Sequence, residues 1–142
     1  MLIGVNKVSY WQLYYHFIWS TKDRLPLITP EIEARLYAVI VSKVHEFDAV
    51  AFAIGGMTEH VHLVTAVPPK TALSIFIGQI KGASSHFVNH ELDLPYYFRW
   101  QSEYGVISFA KRSLPDVVRY VKNQKEIHRK RQLIAGFERV EP

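Results

Sequence analysis

The order of two hydrophobic periodicities is the feature of this sequence that most restricts its fold. Alternating side chains and short β-favouring runs predict strands at residues 11–20, 49–54, 60–67, 98–100 and 105–109. Apolar side chains spaced three and four positions apart predict helices at residues 30–44, 71–89 and 114–131. The resulting order, β-α-β-β-α-β followed by a helix, is that of a ferredoxin-like α+β fold. We therefore predict an antiparallel sheet with two helices on one face; a ligand, DNA or the C-terminal helix would cover the other face.

Local signals predict where these elements begin and which sides they bury. Thr29 and Pro30 provide a cap and a first position for the first helix, and Ser113 provides a cap for the last. Gly55 and Gly56 predict the turn of a hairpin between the second and third strands. The predicted buried stripe of the first helix is Ile32, Leu36, Val39, Ile40 and Val44. That of the second helix is Ala72, Ile75, Phe76, Ile80, Ala83 and Phe87.

Length and composition predict a single domain spanning residues 1–142. The chain is 49% hydrophobic and 21% charged, which is ordinary for a globular protein. Its apolar runs are far shorter than the roughly 20 residues of a membrane-spanning helix, and the N-terminus lacks a signal-peptide pattern. We expect a cytoplasmic protein with no membrane partner. Because the chain has no cysteine, any metal must be bound by histidine, glutamine or carboxylates.

The net positive charge of +4 is concentrated at the C-terminal end. Residues 111–142 contain nine Lys or Arg against four Asp or Glu, whereas the other 110 residues contain eight against nine. Much of the excess lies in Lys122, Lys125, Arg129, Lys130 and Arg131. Such a stripe attracts a phosphate backbone without reading base sequence. The alternative is a solvated helix face with cations near the negative end of the helix dipole.

Two histidines two residues apart mark a candidate metal site. His60 and His62 lie in the third predicted strand, where alternate side chains leave the same face, so both imidazoles can hold one metal ion. Val61 and Leu63 would then pack beneath the helices. A structural pair is the alternative, because His-x-His is not rare in a chain with seven histidines. Glu59 would orient a ligand or simply lie in the turn.

A tyrosine and a glutamine four residues apart mark a second candidate. The spacing of Tyr120 and Gln124 in the last helix brings the phenol and the carboxamide to one face. They adjoin the packing stripe of Val117, Val118 and Val121. A half-buried tyrosine beside a solvated glutamine is the purely structural interpretation. Combined with a metal site, a phenol nucleophile suits an enzyme that cuts nucleic acid through a covalent phosphotyrosine.

Three separated segments resemble one protein family. They are Tyr14-Tyr15-His16-Phe17-Ile18-Trp19-Ser20-Thr21-Lys22, Glu59-His60-Val61-His62-Leu63 and Tyr120-Val121-Lys122-Asn123-Gln124. In order and spacing, from about Tyr14 to Arg131, the chain is similar to the HUH single-tyrosine transposases. These are the TnpA proteins of small insertion sequences and their REP-associated relatives. The resemblance implies a single HUH transposase domain whose C-terminal helix is catalytic.

The resemblance also implies a role for each residue of the site. Tyr120 would attack the scissile phosphate and displace a 3′-hydroxyl, leaving a 5′-phosphotyrosine for strand transfer. His60, His62 and Gln124 would bind the metal. Because these ligands are neutral, the site suits Mg²⁺ or Mn²⁺, held weakly until DNA supplies a phosphate oxygen. His16 would border the site, as a structural residue or as support for a ligand, and no residue stands out as a general base.

The implied substrate is single-stranded DNA with imperfect hairpins at the ends of a mobile element. Candidates for phosphate contacts are Lys122, Lys125, Arg129 and Lys130. In Tyr96-Tyr97-Phe98-Arg99-Trp100 aromatic side chains flank a cation, which suits base stacking at Arg99 and Trp100. The edge of a core beside a hairpin loop is the alternative. The family also implies a homodimer, in which Tyr120 faces the histidines of its own chain or of its partner.

Two other functions are compatible with these residues. A non-catalytic nucleic-acid-binding module with a ferredoxin-like sheet would use the aromatic and basic side chains without a metal. A domesticated relative would keep the cleavage chemistry but act on chromosomal repeats. Metal-independent binding without cleavage would indicate the first, and genomic context distinguishes the second.

Overall fold

The strands of this chain form one antiparallel sheet in the order β2-β3-β1-β4. In the computed structural model, which describes residues 10–130, the strands are β1 (Tyr14–Ser20), β2 (Val50–Met57), β3 (His60–Ala66) and β4 (Gly105–Phe109). The helices are α1 (Pro30–Glu46), α2 (Leu73–Glu91), α3 (Leu114–Lys122) and α4 (Gln124–Arg129). This order and pairing confirm the predicted ferredoxin-like α+β architecture.

The two faces of the sheet carry different layers. Val61 and Leu63 of β3 point into the main core, which α1 and α2 cover. Val64 points to the opposite face and packs in a second cluster with side chains of α3. His60 and His62 share that second face, because residues two apart in a strand lie on the same side. The predicted separation of a core face from a histidine-bearing face is thus confirmed.

The buried side of α2 differs from the predicted one. Its buried side chains are Phe76, Ile77, Ile80, Ser84 and Val88. Ile75 is 58% exposed, against the prediction. Ala72 is also exposed, and Ala83 and Phe87 are only partly buried, as is Val39 in α1. Apolar residues lie on several sides of α2, so the helical period alone does not predict which side is buried. Ser84 belongs in the core because its hydroxyl donates to the Ile80 carbonyl at 2.7 Å and accepts from the Trp100 indole at 3.0 Å.

One predicted strand begins too early and another does not form, because strands need partners. β1 begins at Tyr14 rather than at residue 11, since its pairing with β3 and β4 starts there. Residues 98–100 form no strand; Trp100 makes only an isolated bridge with Thr21. Phe98 is held instead by the side chain of Asn89, which accepts from its N–H at 2.7 Å and donates to its carbonyl at 2.8 Å.

The last predicted helix is divided in two. α3 ends at Lys122 and α4 begins at Gln124, with the Asn123 backbone between them at φ −103° and ψ 23°. Ser113 precedes α3 without a side-chain capping hydrogen bond. Arg131, the last residue of the predicted helix, lies outside the described residues. Within residues 10–130 no helix is both long and apolar enough to cross a membrane.

Gly55 and Gly56 lie inside β2, and the hairpin turn is formed by residues 58–59. A Cβ added to Gly55 would lie 2.2 Å from the carbonyl oxygen of Val121 in α3, and one added to Gly56 would lie 2.1 Å from that of His60. These glycines therefore permit a close approach of backbones rather than a turn. Gly55 is where α3 reaches the sheet.

Gly55→Ala is expected to push α3 away from β2 and to displace Tyr120. The added methyl group meets backbone, which cannot rotate aside as a side chain can, and overpacking of this kind costs about 1–3 kcal/mol. Chemical denaturation measures the change in the free energy of unfolding. Gly78→Ala is the matched control, because a Cβ there meets no atom within 4 Å. Equal losses of stability in the two variants would contradict the role given to Gly55.

Candidate active site

Two strands and the α3–α4 segment bring five polar side chains together on the second face of the sheet. They are His16, His60, His62, Tyr120 and Gln124, each at most 3% exposed. The strand predicted to present two imidazoles and the helix predicted to present a phenol and a carboxamide therefore meet. Buried polar groups concentrated at one place are unusual in a core and are typical of functional sites.

Neighbouring side chains orient both imidazoles of β3. The Nδ1 atom of His60 lies 3.2 Å from a carboxylate oxygen of Glu59, and the Nδ1 atom of His62 lies 2.9 Å from Nε2 of His16. Since Nδ1 of each ring makes this contact, Nε2 is the nitrogen through which either histidine would bind a metal. Glu59 and His16 thus lie where supporting residues of a metal site are found.

Glu59 stays ionised over a wide range of pH. The hydrogen bond with the His60 side chain is the main reason that the pKa of its carboxyl is lowered to about 2. The guanidinium of Arg24 also contacts this carboxylate at 3.4 Å. A carboxylate behind a histidine increases the basicity of the ligating nitrogen.

The carboxamide of Gln124 is contacted at both ends. Its Oε1 lies 3.4 Å from Nε2 of His60 and 3.0 Å from Nε2 of His128, while its Nε2 donates to the Tyr120 carbonyl at 3.4 Å. When His60 is neutral and donates through Nδ1 to Glu59, the lone pair of its Nε2 faces Oε1 of Gln124. Both atoms are then hydrogen-bond acceptors, so a cation between them would stabilise the arrangement.

The spacing of these atoms fits a divalent metal. Two ligands at about 2.1 Å from one octahedral ion lie about 3.0 Å apart, which is close to the 3.4 Å between His60 Nε2 and Gln124 Oε1. In the described part of the chain, no three His, Cys, Asp or Glu side chains group in a metal-binding arrangement. A metal ion held here would therefore need the carboxamide of Gln124 as well as His60 and His62.

Tyr120 lies beside the histidines of its own chain. Its ring centroid is 5.8 Å from that of His62 and 6.4 Å from that of His16, and both contacts are edge-on. Val117 and Val121 bury it against the sheet. The structure thus differs from the interpretation of a half-buried tyrosine beside a solvated glutamine.

Sequence reasoning missed His128. This residue of α4 contacts Gln124, and its ring centroid lies 5.1 Å from that of His60. The signal was available, because His128 follows Gln124 at the same spacing of four that relates Gln124 to Tyr120.

The basic residues of the C-terminal segment differ in their contacts. Lys125 is anchored by Glu33 and by the Gly56 carbonyl at 2.9 Å, while Arg129 and Lys130 both pair with Glu126. Lys122 is exposed. The cations of α4 are therefore partly neutralised within the chain.

The predicted aromatic-basic cluster is anchored to the helix-covered face of the sheet. Trp100 is half-buried; it packs edge-on against Trp19 and donates its indole N–H to Ser84. Arg99 and Tyr97 are exposed. Trp100 thus has a structural role, which favours the interpretation of this segment as the edge of a core.

Comparison with known proteins decides the family. The family model described as "Transposase IS200 like" matches residues 9–124, a range that includes Tyr120 and Gln124 but not His128. The chain belongs to the IS200-like transposase family. The resemblance inferred from three short segments is thereby confirmed, and the chain is a transposase, a class of DNA-cleaving enzymes.

Relatives of this transposase match most of its length. It is 24% identical over 119 residues to the ISDra2 transposase TnpA of Deinococcus radiodurans, a match that covers 80% of this chain and 85% of the relative. It is 28% identical over 122 residues to the transposase for insertion sequence element IS200 of Salmonella typhimurium, with coverage of 82% and 79%.

Solved structures show the same fold. A crystal structure of a candidate transposase from Deinococcus radiodurans R1 matches the transposase with a TM-score of 0.65 and 26% identity, covering 87% of this chain and 98% of that one. A REP-associated tyrosine transposase bound to a REP hairpin matches with a TM-score of 0.63 and 14% identity, covering 96% and 76%. At that identity the second likeness concerns the fold alone.

Proposed function

We propose that this transposase cleaves and rejoins single-stranded DNA at the ends of its element through a 5′-phosphotyrosine on Tyr120. The observation that carries the proposal is the burial of the Tyr120 ring 5.8 Å from the His62 ring, with Gln124 one helical turn away beside His60. The residues that we propose as nucleophile and metal ligands thus converge within one chain. Both belong to the range that matches the transposase family.

The chemistry of the proposal conserves the phosphodiester. The phenol oxygen of Tyr120 would form a bond to phosphorus as the bond to the 3′ oxygen breaks. The phenol proton is lost and the departing oxygen gains one, which gives a free 3′-hydroxyl. Attack by a second 3′-hydroxyl would reverse the step and release the tyrosine, so no ATP is needed.

His60, His62 and Gln124 would hold Mg²⁺ or Mn²⁺. When bound, the ion would polarise the scissile phosphate as a Lewis acid. Glu59 and His16 would keep the two imidazoles in the orientation that directs Nε2 toward the ion. A set of neutral ligands suits a hard cation whose coordination shell is completed by a phosphate oxygen.

Single-stranded DNA with hairpins at the element ends is the partner we propose. The REP-associated transposase of the same fold is bound to a REP hairpin, which supports a hairpin substrate for this chain. Exposed cations near the site, of which Lys122 is the clearest, would contact phosphates. Arg99, which is also exposed, would contribute a further phosphate contact.

We also propose that two chains associate as a homodimer in the cytoplasm. In the described part of the chain, β2 and β4 are the outer strands of the sheet and each has one side available for pairing. Sedimentation equilibrium distinguishes a dimer from a monomer.

The decisive experiment uses single-stranded oligonucleotides from both flanks of the gene, labelled at the 3′ end. With Mn²⁺ or Mg²⁺, the label is expected to remain with the denatured protein, and peptide mapping is expected to locate it on Tyr120. Hairpin binding without any adduct would instead indicate a non-catalytic binding module. A chelator provides the control for metal dependence.

Lys122→Ala is expected to weaken single-stranded DNA binding and to reduce its salt dependence. Each phosphate contact on single-stranded DNA contributes about 0.7 to the slope of log affinity against log salt. Titration at several salt concentrations measures both quantities. Lys70→Ala, which removes the same charge from a residue paired with Asp48, is the control. Identical slopes for the two variants would exclude Lys122 from the DNA contact.

A further inference from the structure

His128 makes a polar contact that the proposed cleavage chemistry does not use. Its Nε2 lies 3.0 Å from Gln124 Oε1, and its ring is tilted by 57° over that of His60 at 5.1 Å between centroids. It lies on α4, beyond residue 124 where the family match ends. Its distance to the carboxamide oxygen is that of an ordinary hydrogen bond.

A glutamine ligand has two ends of similar shape and opposite character. Only its oxygen can bind a cation, and a rotation of 180° would present the NH₂ group instead. The contact of Gln124 Nε2 with the Tyr120 carbonyl is long, at 3.4 Å, and holds the carboxamide weakly. An N–H group of His128 at 3.0 Å can donate only to the oxygen of the carboxamide and not to its NH₂ group. The oxygen has two lone pairs, so it can accept from His128 and still bind an ion.

The structure holds His128 in place independently of this contact. Ile127 packs with the cluster beneath α3, and its N–H donates to the Asn123 carbonyl at 2.9 Å. Lys125 of α4 donates to the Gly56 carbonyl of β2 and forms an ion pair with Glu33 of α1. α4 therefore holds the imidazole in a fixed position. A side chain must itself be held in this way if it is to orient another one.

We propose that His128 is a positioning residue that donates through Nε2–H to Gln124 and keeps the carboxamide oxygen directed toward the metal site. The inference rests on the proposed function, because it assumes that Gln124 is a ligand. His128 acts through Gln124 and not on the ion itself. Variants of His128 and Gln124 can therefore separate an effect through the carboxamide from direct binding of the ion.

The affinity of the full chain for Mn²⁺, measured by calorimetry without DNA, tests the proposal. His128→Phe keeps a ring but removes the donor, and it should weaken binding about tenfold, as loss of a residue that orients a metal ligand does. His128→Gln restores an N–H donor at similar reach and should bind nearly as the wild type does. His90→Phe, on an exposed part of α2, is the matched control and should not change the affinity.

The double variant separates positioning from direct ligation. If His128 acts through Gln124, adding His128→Phe to Gln124→Ala should weaken Mn²⁺ binding no further than Gln124→Ala alone. Additive losses would overturn the proposal and would make His128 a ligand in its own right. Wild-type affinity of His128→Phe would also overturn it.

A spectroscopic measurement distinguishes failure of this inference from failure of the proposed function. In the metal-free chain, ¹H–¹⁵N spectra of the imidazoles should show the His128 proton on Nε2, coupled to the side chain of Gln124. If that contact is present but the wild type binds no Mn²⁺, the metal site of the proposed function is refuted and the contact stands. If His128 carries its proton on Nδ1 alone, the positioning role is refuted.

Discussion

Tyr120→Phe is expected to abolish the covalent adduct with DNA and to lower strand cleavage by at least about 10³-fold, as loss of a catalytic nucleophile does in other enzymes. The ring and its packing against Val117 and Val121 are retained, so only the attacking oxygen is lost. Hairpin binding should change little, because the side chain is 3% exposed and offers DNA almost no surface. Gel analysis of 3′-labelled DNA measures the adduct, and filter binding measures the affinity.

The matched control for this variant is Tyr97→Phe, which removes a hydroxyl from a residue that is 69% exposed. Adduct formation by the Tyr120 variant at the wild-type rate would refute the assignment. Mixing it with a His62→Ala variant tests which chain supplies the nucleophile. Because Tyr120 lies beside the histidines of its own chain, the mixture should remain inactive. Recovered cleavage would show a site assembled from two chains.

His60→Ala and His62→Ala are each expected to remove cleavage at any practical concentration of Mg²⁺ or Mn²⁺. The proposed ligand set contains no carboxylate, and each imidazole is held in orientation by a neighbouring side chain. The loss of one imidazole therefore leaves a single oriented ring and a weakly held carboxamide, which do not bind a hard cation from water. Cleavage of hairpin-bearing single-stranded DNA, followed over a range of metal concentrations, measures the effect. DNA binding in chelator should persist, since the imidazoles are buried.

A surface histidine provides the comparison. His90→Ala removes an imidazole from the end of α2, where it bonds to the His86 carbonyl, and should leave the metal dependence unchanged. Gln124→Ala should have an intermediate effect, because two imidazoles still converge on the site. Full activity of either the His60 or the His62 variant would refute the metal role of that residue.

Much of the candidate site could be predicted from the sequence because its residues occur in local pairs. His60 and His62 share a side of one strand, and Tyr120 and Gln124 share a side of one helix, so each relation follows from the geometry of its own element. Glu59 contacts the adjacent His60, and His128 contacts Gln124, which precedes it by four residues. Many other residues at these spacings make no such contact, so the spacing alone does not predict one. The contact of His16 with His62 depends on the pairing of β1 with β3, which no local pattern contains.

The errors concern interactions between elements. The buried side of α2 was predicted one step away from the observed one, because its apolar residues surround the helix and only packing selects among them. Gly55 was predicted as a turn, since local patterns do not distinguish a glycine that bends the chain from one that admits a neighbour. The close approach of Val121 to Gly55 is visible only when α3 lies on the sheet.

The sequence by itself determined most of the elements, their order and the side chains that share a face within each element. These properties depend on the 2-residue and 3.6-residue periods of strand and helix and on the few residue types able to bind metal or attack phosphorus. The tertiary structure decided which faces meet. Antiparallel pairing placed His16 against His62, and the small size of Gly55 let α3 approach β2 until Tyr120 and Gln124 reached the histidines. Packing decided these contacts because they join residues far apart in sequence, whose proximity depends on the whole arrangement of the sheet and helices.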